Sequence, residues 1–317
     1  MHVAYSAHWL ELLKKEWEIA AQNGCGHGGL EASAVMATPM PDTTDSLAAT
    51  DHSVYGPSLI VFGDSQSDNG STFHYSNRTV YPFGGRYSNS YMWNEYVAKL
   101  LNLNLENWAI GGSTNDNKFV PGYGRTQIIP STTDMVAQYI TNNTNASVFK
   151  KCSSIVVVGG GSNSLLYSLD SFADGSIDMQ TFVDTLVNNL FDNVKNLLDA
   201  GYPNIYLLTM PSLNVIPGIV EYGITELTQT IAPMFDMAFR RGLWNLFWTY
   251  GPRAFGVSLF DLGSVYDLMA KPESLSALNI TTVNDWCVTY AKGGSELYCS
   301  DPDTRYFYDD FHASGRI

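Results

Sequence analysis

Residues 59–70 read LIVFGDSQSDNG, and no other stretch restricts the fold of the chain so strongly. The apolar run Leu59-Ile60-Val61-Phe62 breaks at Gly63, the pattern of a buried parallel strand that enters a tight turn. A strand apolar on both faces needs cover on both faces, which points to an α/β sheet with helices above and below it. Ligands of such sheets bind beyond the carboxyl ends of the strands, so the turn presents Ser65 as a nucleophile candidate. Gly, Asp and Ser are also ordinary turn formers, and the turn alone carries no chemistry.

A partner stands near the other end of the chain. Residues 306–314 read YFYDDFHAS, which sets Asp309 three residues before His312, a spacing that suits a carboxylate orienting an imidazole. Of six histidines, His2, His8, His27 and His52 precede the first strand, which leaves His74 and His312 as bases. A serine hydroxyl needs a neighbouring base, and the base needs a third group to fix its tautomer. Ser65, His312 and Asp309 meet those needs.

Two further apolar runs also stop at glycine. Residues 105–110 read as a second strand ending at Gly111-Gly112, where the missing Cβ lets backbone approach a ligand closely or simply serves a turn. Residues 154–158 form a β-branched strand ending at Gly159-Gly160-Gly161. No Gly-Lys-Ser/Thr follows, and the dinucleotide glycine pattern fails at Ser164, so nucleotide binding is the poorer reading. Asn163 supplies a side-chain N–H suited to an oxyanion, or to satisfying its own loop.

Taken together these stretches resemble the GDSL lipase/esterase family, the SGNH hydrolases. Phe62 to Gly70 is similar to the first family block, Asn107-Trp108-Ala109-Ile110-Gly111-Gly112-Ser113-Thr114 to the second, Val156 to Asn163 to the third, and Asp309-Asp310-Phe311-His312 to the last, all in family order. The resemblance implies Ser65, Asp309 and His312 as catalytic residues, with an oxyanion hole from the N–H groups of Ser65 and Gly112 and the Asn163 side chain. Ser164 stands where the family usually has aspartate, which touches support of that loop. Gln66 stands where the family name has leucine, a position that varies and receives little weight. The nearest likeness is to fungal-type extracellular members, acetylesterases of carbohydrate esterase family 16 and related lipases.

Helix signals fill the intervals. Ser90 is placed to cap a helix to about residue 101, residues 131–141 suggest another, and residues 179–200 carry Phe182, Leu186, Leu190, Val194 and Leu197 on one face before Gly201. Residues 205–210 and 257–260 supply the fourth and fifth strands, separated by a helix over residues 225–250 that Pro233 interrupts early. Its stripe is Phe235, Phe239, Leu243, Leu246 and Phe247; Trp244 and Trp248 read as core or rim packing, and Asp261 as a helix cap. Residues 286–305 read as an inserted loop. The expected architecture is a three-layer α/β/α sandwich around a flavodoxin-like, doubly wound parallel five-stranded sheet. No Gly-x-Ser-x-Gly elbow occurs, which excludes the α/β-hydrolase arrangement on sequence grounds.

Residues 54–317 form the hydrolase domain of this reading. Residues 1–53 form an N-terminal extension, with Trp9, Leu10, Leu13 and Trp17 on one helical face and then a Gly-, Ala-, Ser- and Thr-rich lead. The stretch lacks the uninterrupted apolar segment of a signal peptide. Cys287 and Cys299 lie close enough to form a disulfide holding the His312 loop to the body, whereas Cys25 and Cys152 have no evident pairing. Sequons stand at Asn69, Asn77, Asn142, Asn145 and Asn279, the first of them close to Ser65. These features, with the family, raise the expectation of a secreted glycoprotein. The family's closing helix after the histidine block is missing, which raises the expectation that His312 sits on a frayed end.

A net charge of −14 repels nucleic acid and anionic membrane surfaces, and no apolar run approaches the roughly 18 residues of a membrane span. The expected partner is a small-molecule or carbohydrate ester, with no metal or organic cofactor, no nucleic acid, no integral membrane contact and a monomeric chain. The alternatives are a lipase or phospholipase, kept open by the apolar loop over residues 211–222, and a catalytically impaired remnant of the fold.

Overall fold

The computed structural model describes residues 56–72, 85–124, 127–290 and 296–317. The N-terminal extension, His74, Asn77 and Cys25 lie outside the described residues.

Five parallel strands form the centre: β1 (Ser58–Phe62), β2 (Asn104–Asn107), β3 (Ile155–Val158), β4 (Ile205–Leu208) and β5 (Val257–Phe260). Their spatial order is β2-β1-β3-β4-β5, the flavodoxin-like order the sequence led us to expect. The register sets Leu59 beside both Leu105 and Ile155, Val156 beside Ile205, and Ile205 beside Val257. Side chains alternate across a strand, so β1 and β3 feed two cores at once. Leu59, Val61, Ile155 and Val157 pack with Ala98 and Leu103 on one face. Ile60, Phe62, Val156 and Val158 pack on the other with helices α2 (Thr132–Asn142), α4 (Met179–Asp199) and α6 (Thr225–Tyr250), whereas α1 (Trp93–Leu100) covers the first face. The result is a three-layer α/β/α sandwich. Short helices α3 (Ser162–Tyr167), α5 (Pro217–Glu221) and α7 (Leu262–Met269) stand on the catalytic side or beside it.

The helices obey the sequence signals with a few informative exceptions. Ser131, Asp178 and Asp261 each cap a helix by accepting a backbone N–H, from Asp134, Thr181 and Ser264. Ser90 does not. Its hydroxyl pairs with the Tyr96 hydroxyl at 3.0 Å, and α1 starts at Trp93, where the Glu95 carboxylate takes the Met92 N–H at 2.8 Å and is itself gripped by Arg86. Strand β2 stops at Asn107, earlier than expected, because the Asn107 side-chain oxygen accepts from Ala109 and turns the chain. Pro233 sits inside α6 without ending it; the helix runs 26 residues. Phe235, Phe239 and Leu246 face the core, but Trp244 and Trp248 are 62% and 75% exposed, which corrects the expectation of core or rim packing. Each lies two residues from Leu246, about 200° around the helix from it, and the two rings meet edge to face.

The inserted loop over residues 286–305 is largely structured. Val288–Tyr290 pairs antiparallel with Glu296–Tyr298, and Arg305–Phe307 pairs parallel with Thr282–Trp286. Cys287 and Cys299 form a disulfide across the base of the hairpin; Cys152 is free. The N–H groups of Cys287 and Val288 both donate to the Tyr308 carbonyl, so the hairpin backs the segment that carries Asp309. That segment is not frayed. Phe307 bridges Ala313, Tyr308 N–H donates to the His312 carbonyl, and buried Ser314 bonds Arg305 and Tyr306.

Candidate active site

Strand β1 ends at the turn that presents Ser65. The turn closes with Ser67 N–H on the Asp64 carbonyl, and the Asp64 carboxylate takes the Gln66 N–H. Some 245 residues downstream, the Asp309 carboxylate accepts the N–H groups of Phe311 at 2.9 Å and His312 at 2.7 Å, which coils residues 309–312 into a tight hook. The same carboxylate lies 2.7 and 2.8 Å from Nδ1 of His312. An ionised carboxylate only accepts, so the Nδ1 position carries the proton and Nε2 is left as an acceptor. Ser65 Oγ stands 2.7 Å from that Nε2 and donates to it. Serine, histidine and aspartate thus form one hydrogen-bonded line, with Asp309 buried and Ser65 nearly so.

The electrostatics suit the line. Burial pulls the imidazole of His312 toward neutrality, but the Asp309 carboxylate beside it outweighs that and holds its pKa above the ordinary value, with help from Asp64 and Asp310. Burial also raises Asp64. Tyr87 packs against the His312 ring at 4.8 Å between centroids, and burial pushes its own pKa up to about 12, so it stays a neutral wall.

The loops around Ser65 are tied to it through Asp68. This fully buried carboxylate accepts from the N–H groups of Gly70, Ser71 and Thr72, from the Thr72 hydroxyl, and from Gly111 N–H at 2.8 Å. It fixes the loop after β2 against the nucleophile turn. Gly112, the next residue, has φ +87°, and a Cβ there would lie 2.7 Å from the Tyr123 carbonyl oxygen, so only glycine fits. Asn163, at the start of α3, donates from Nδ2 to the Ser113 carbonyl at 2.9 Å, which brings it beside Gly112. Ser164 keeps the loop tie that its departure from the family's aspartate put in question: its hydroxyl accepts from Asn115 N and donates to Asn115 Oδ1, both at 3.2 Å. The amide nitrogen of the Asn115 side chain is buried without a hydrogen-bond partner among the described residues.

Two contributors escaped the sequence reading. Asp68 gave no signal beyond its place in the first block, because four of its five donors lie within the next four residues, as in an ordinary turn, and only Gly111 comes from across β2. Asp310 lies beside Asp309, with its pKa pushed up to about 6, first by burial and then by repulsion from that neighbour. Its charge helps hold the His312 pKa high. An Asp310→Asn substitution will therefore move the acid limb of kcat/KM to lower pH in a pH–rate profile. The folded pKa of Asp310 lies above its unfolded value, so its contribution favours the folded state below about pH 4 and is lost as pH rises through about 6. Urea melts of Asp310→Asn will gain on the native chain at pH 8 relative to pH 4.

The three-layer sandwich thus carries the first three sequence blocks at the ends of β1, β2 and β3, and the hook brings the fourth to them. The chain belongs to the GDSL-like lipase/acylhydrolase family, whose model matches residues 59–316. It is 25% identical over 245 residues to the thermolabile hemolysin of Vibrio parahaemolyticus serotype O3:K6 (strain RIMD 2210633), a match that covers 76% of this chain and 53% of the relative. The chain thus spans about half the length of that relative.

Proposed function

We propose that the protein cleaves esters through a Ser-His-Asp triad and an acyl-enzyme. The observation that carries this is the unbroken line from Ser65 Oγ through both His312 nitrogens to Asp309. Nε2 of His312 takes the proton as Ser65 attacks the ester carbonyl, and returns it to the departing alcohol; water then repeats the sequence on the acyl-enzyme. Asp309 holds the tautomer and stabilises the imidazolium. The N–H groups of Ser65 and Gly112 and the second Nδ2 hydrogen of Asn163, which the bond to Ser113 leaves over, stabilise the oxyanion. The steps require no cofactor.

Short-chain esters and acetylated carbohydrates are the first substrate class, in keeping with the negative net charge, which favours neutral over anionic substrates. A second reading, longer acyl chains, draws on the exposed apolar side chains Tyr123, Ile128, Tyr167, Val220 and Tyr222, of which Tyr222 meets Phe311 beside His312. The name of the Vibrio relative points the same way. The Cys287–Cys299 disulfide and the exposed sequons at Asn142, Asn145 and Asn279 support a secreted glycoprotein. Asn69 is a poor acceptor, since its side chain is engaged by Asn107. A serine-directed fluorophosphonate will label Ser65, and p-nitrophenyl acetate will be hydrolysed in preference to the palmitate. Preference for palmitate selects the lipase reading, and absence of labelling selects the impaired remnant.

A further inference from the structure

Residues 309–312 are rigid as a hook because Asp309 binds both backbone N–H groups and the ring of the same short segment. Nothing in that internal bonding fixes how far the hook stands from Ser65. The distance is set by whatever connects the two segments, and one side chain spans them next to the reacting atoms. Gln66, the residue after Ser65, accepts from the Tyr266 hydroxyl through Oε1 at 2.9 Å, and its Nε2 donates to the Phe311 carbonyl at 3.5 Å. Its own N–H is held by Asp64. Tyr266 is buried on α7, and its carbonyl receives the Tyr306 hydroxyl at 2.9 Å from the strand that leads into the hook. Phe311 in turn has its ring against Gly218, where a Cβ would lie 2.6 Å from it.

We propose that Gln66 and Tyr266 are positioning residues, a clamp that sets the Ser65–His312 distance by joining the nucleophile turn, α7 and the carbonyl that immediately precedes His312. The proposal rests on the triad reading above. A leucine at position 66, the letter in the family name, has neither an acceptor for the Tyr266 hydroxyl nor a donor for the Phe311 carbonyl. Its presence would leave the buried Tyr266 hydroxyl unmatched and the hook held by apolar packing. The 3.5 Å bond is long, as contacts around a free active site often are.

The test uses Gln66→Met, which keeps length and shape without the amide, together with Gln66→Leu, Tyr266→Phe and the double variant Gln66→Met/Tyr266→Phe. A sub-ångström loosening of the Ser65–His312 pair is expected to lower kcat about tenfold, with KM changed less than about twofold. The rate of fluorophosphonate labelling will fall in parallel. The acid limb of the pH profile will stay in place, because the Asp309–His312 pair lies wholly within the hook; a merely destabilised fold would lower the urea midpoint without this pattern. The double variant will be no slower than the worse single one, since both remove the same clamp. The proposal is overturned if Gln66→Met and Tyr266→Phe keep kcat within twofold, if their losses multiply in the double variant, or if the loss appears in KM. Failure of the triad reading looks different: the native chain itself then resists labelling.

Discussion

An Asp309→Asn enzyme will fold and hydrolyse esters about 10⁴-fold more slowly than the native chain. Asparagine still offers one oxygen to the N–H groups of Phe311 and His312, so the hook survives. Its amide hydrogens then face Nδ1 of His312, which forces the ring proton to Nε2 and turns that nitrogen from an acceptor into a donor toward Ser65. The surviving activity will titrate lower, because the carboxylate that holds the His312 pKa up is gone. Steady-state kinetics on p-nitrophenyl acetate across pH, beside Ser65→Ala as the inert reference, measures both effects. A loss under about tenfold would remove Asp309 from the triad.

The largest effect on stability belongs to Asp68→Ala. Five donors lose one buried acceptor at once, and although Gly111 N–H keeps the Thr72 hydroxyl, at the usual cost of an unmatched buried donor the fold should lose at least about 3 kcal/mol. The midpoint of urea unfolding reports it. Gly111 keeps only its bond to the Thr72 hydroxyl, which has itself lost Asp68, so Gly112 is held less firmly and kcat falls in the fraction that remains folded. Asp68→Asn keeps one acceptor oxygen and will land between. An alanine variant that melts within about half a kcal/mol of the native chain would show that the surrounding loops, and not this carboxylate, hold the nucleophile turn.

Much of this molecule can be read from local sequence. Leu59 to Phe62 had to be a doubly covered strand, and strand order, the long stripe of α4 and the pairing of Ser65 with His312 and Asp309 follow from apolar periodicity and from chemical need. What escaped is decided by contacts across the chain. Gln66 looked like a neutral variation because its meaning lies in Phe311, 245 residues away, and in Tyr266. Ser90 looked like a cap until Glu95 satisfied the same end of α1 through Met92. The three-residue strands of the insert are too short to show a period, and they exist through pairing and a disulfide. Trp244 and Trp248 were misplaced because their spacing fits a helix face without saying which one.

The Cys287–Cys299 bridge closes a loop of 12 residues, a closure worth about 3 kcal/mol when the chain is otherwise free. The Tyr308 carbonyl leans on the backbone of that hairpin, and Asp309 follows Tyr308 directly. The covalent closure therefore lies one residue away from the carboxylate that orients His312. A chain whose thiols are still reduced keeps its serine turn and its sheet, but the hairpin behind Asp309 then rests on backbone pairing alone.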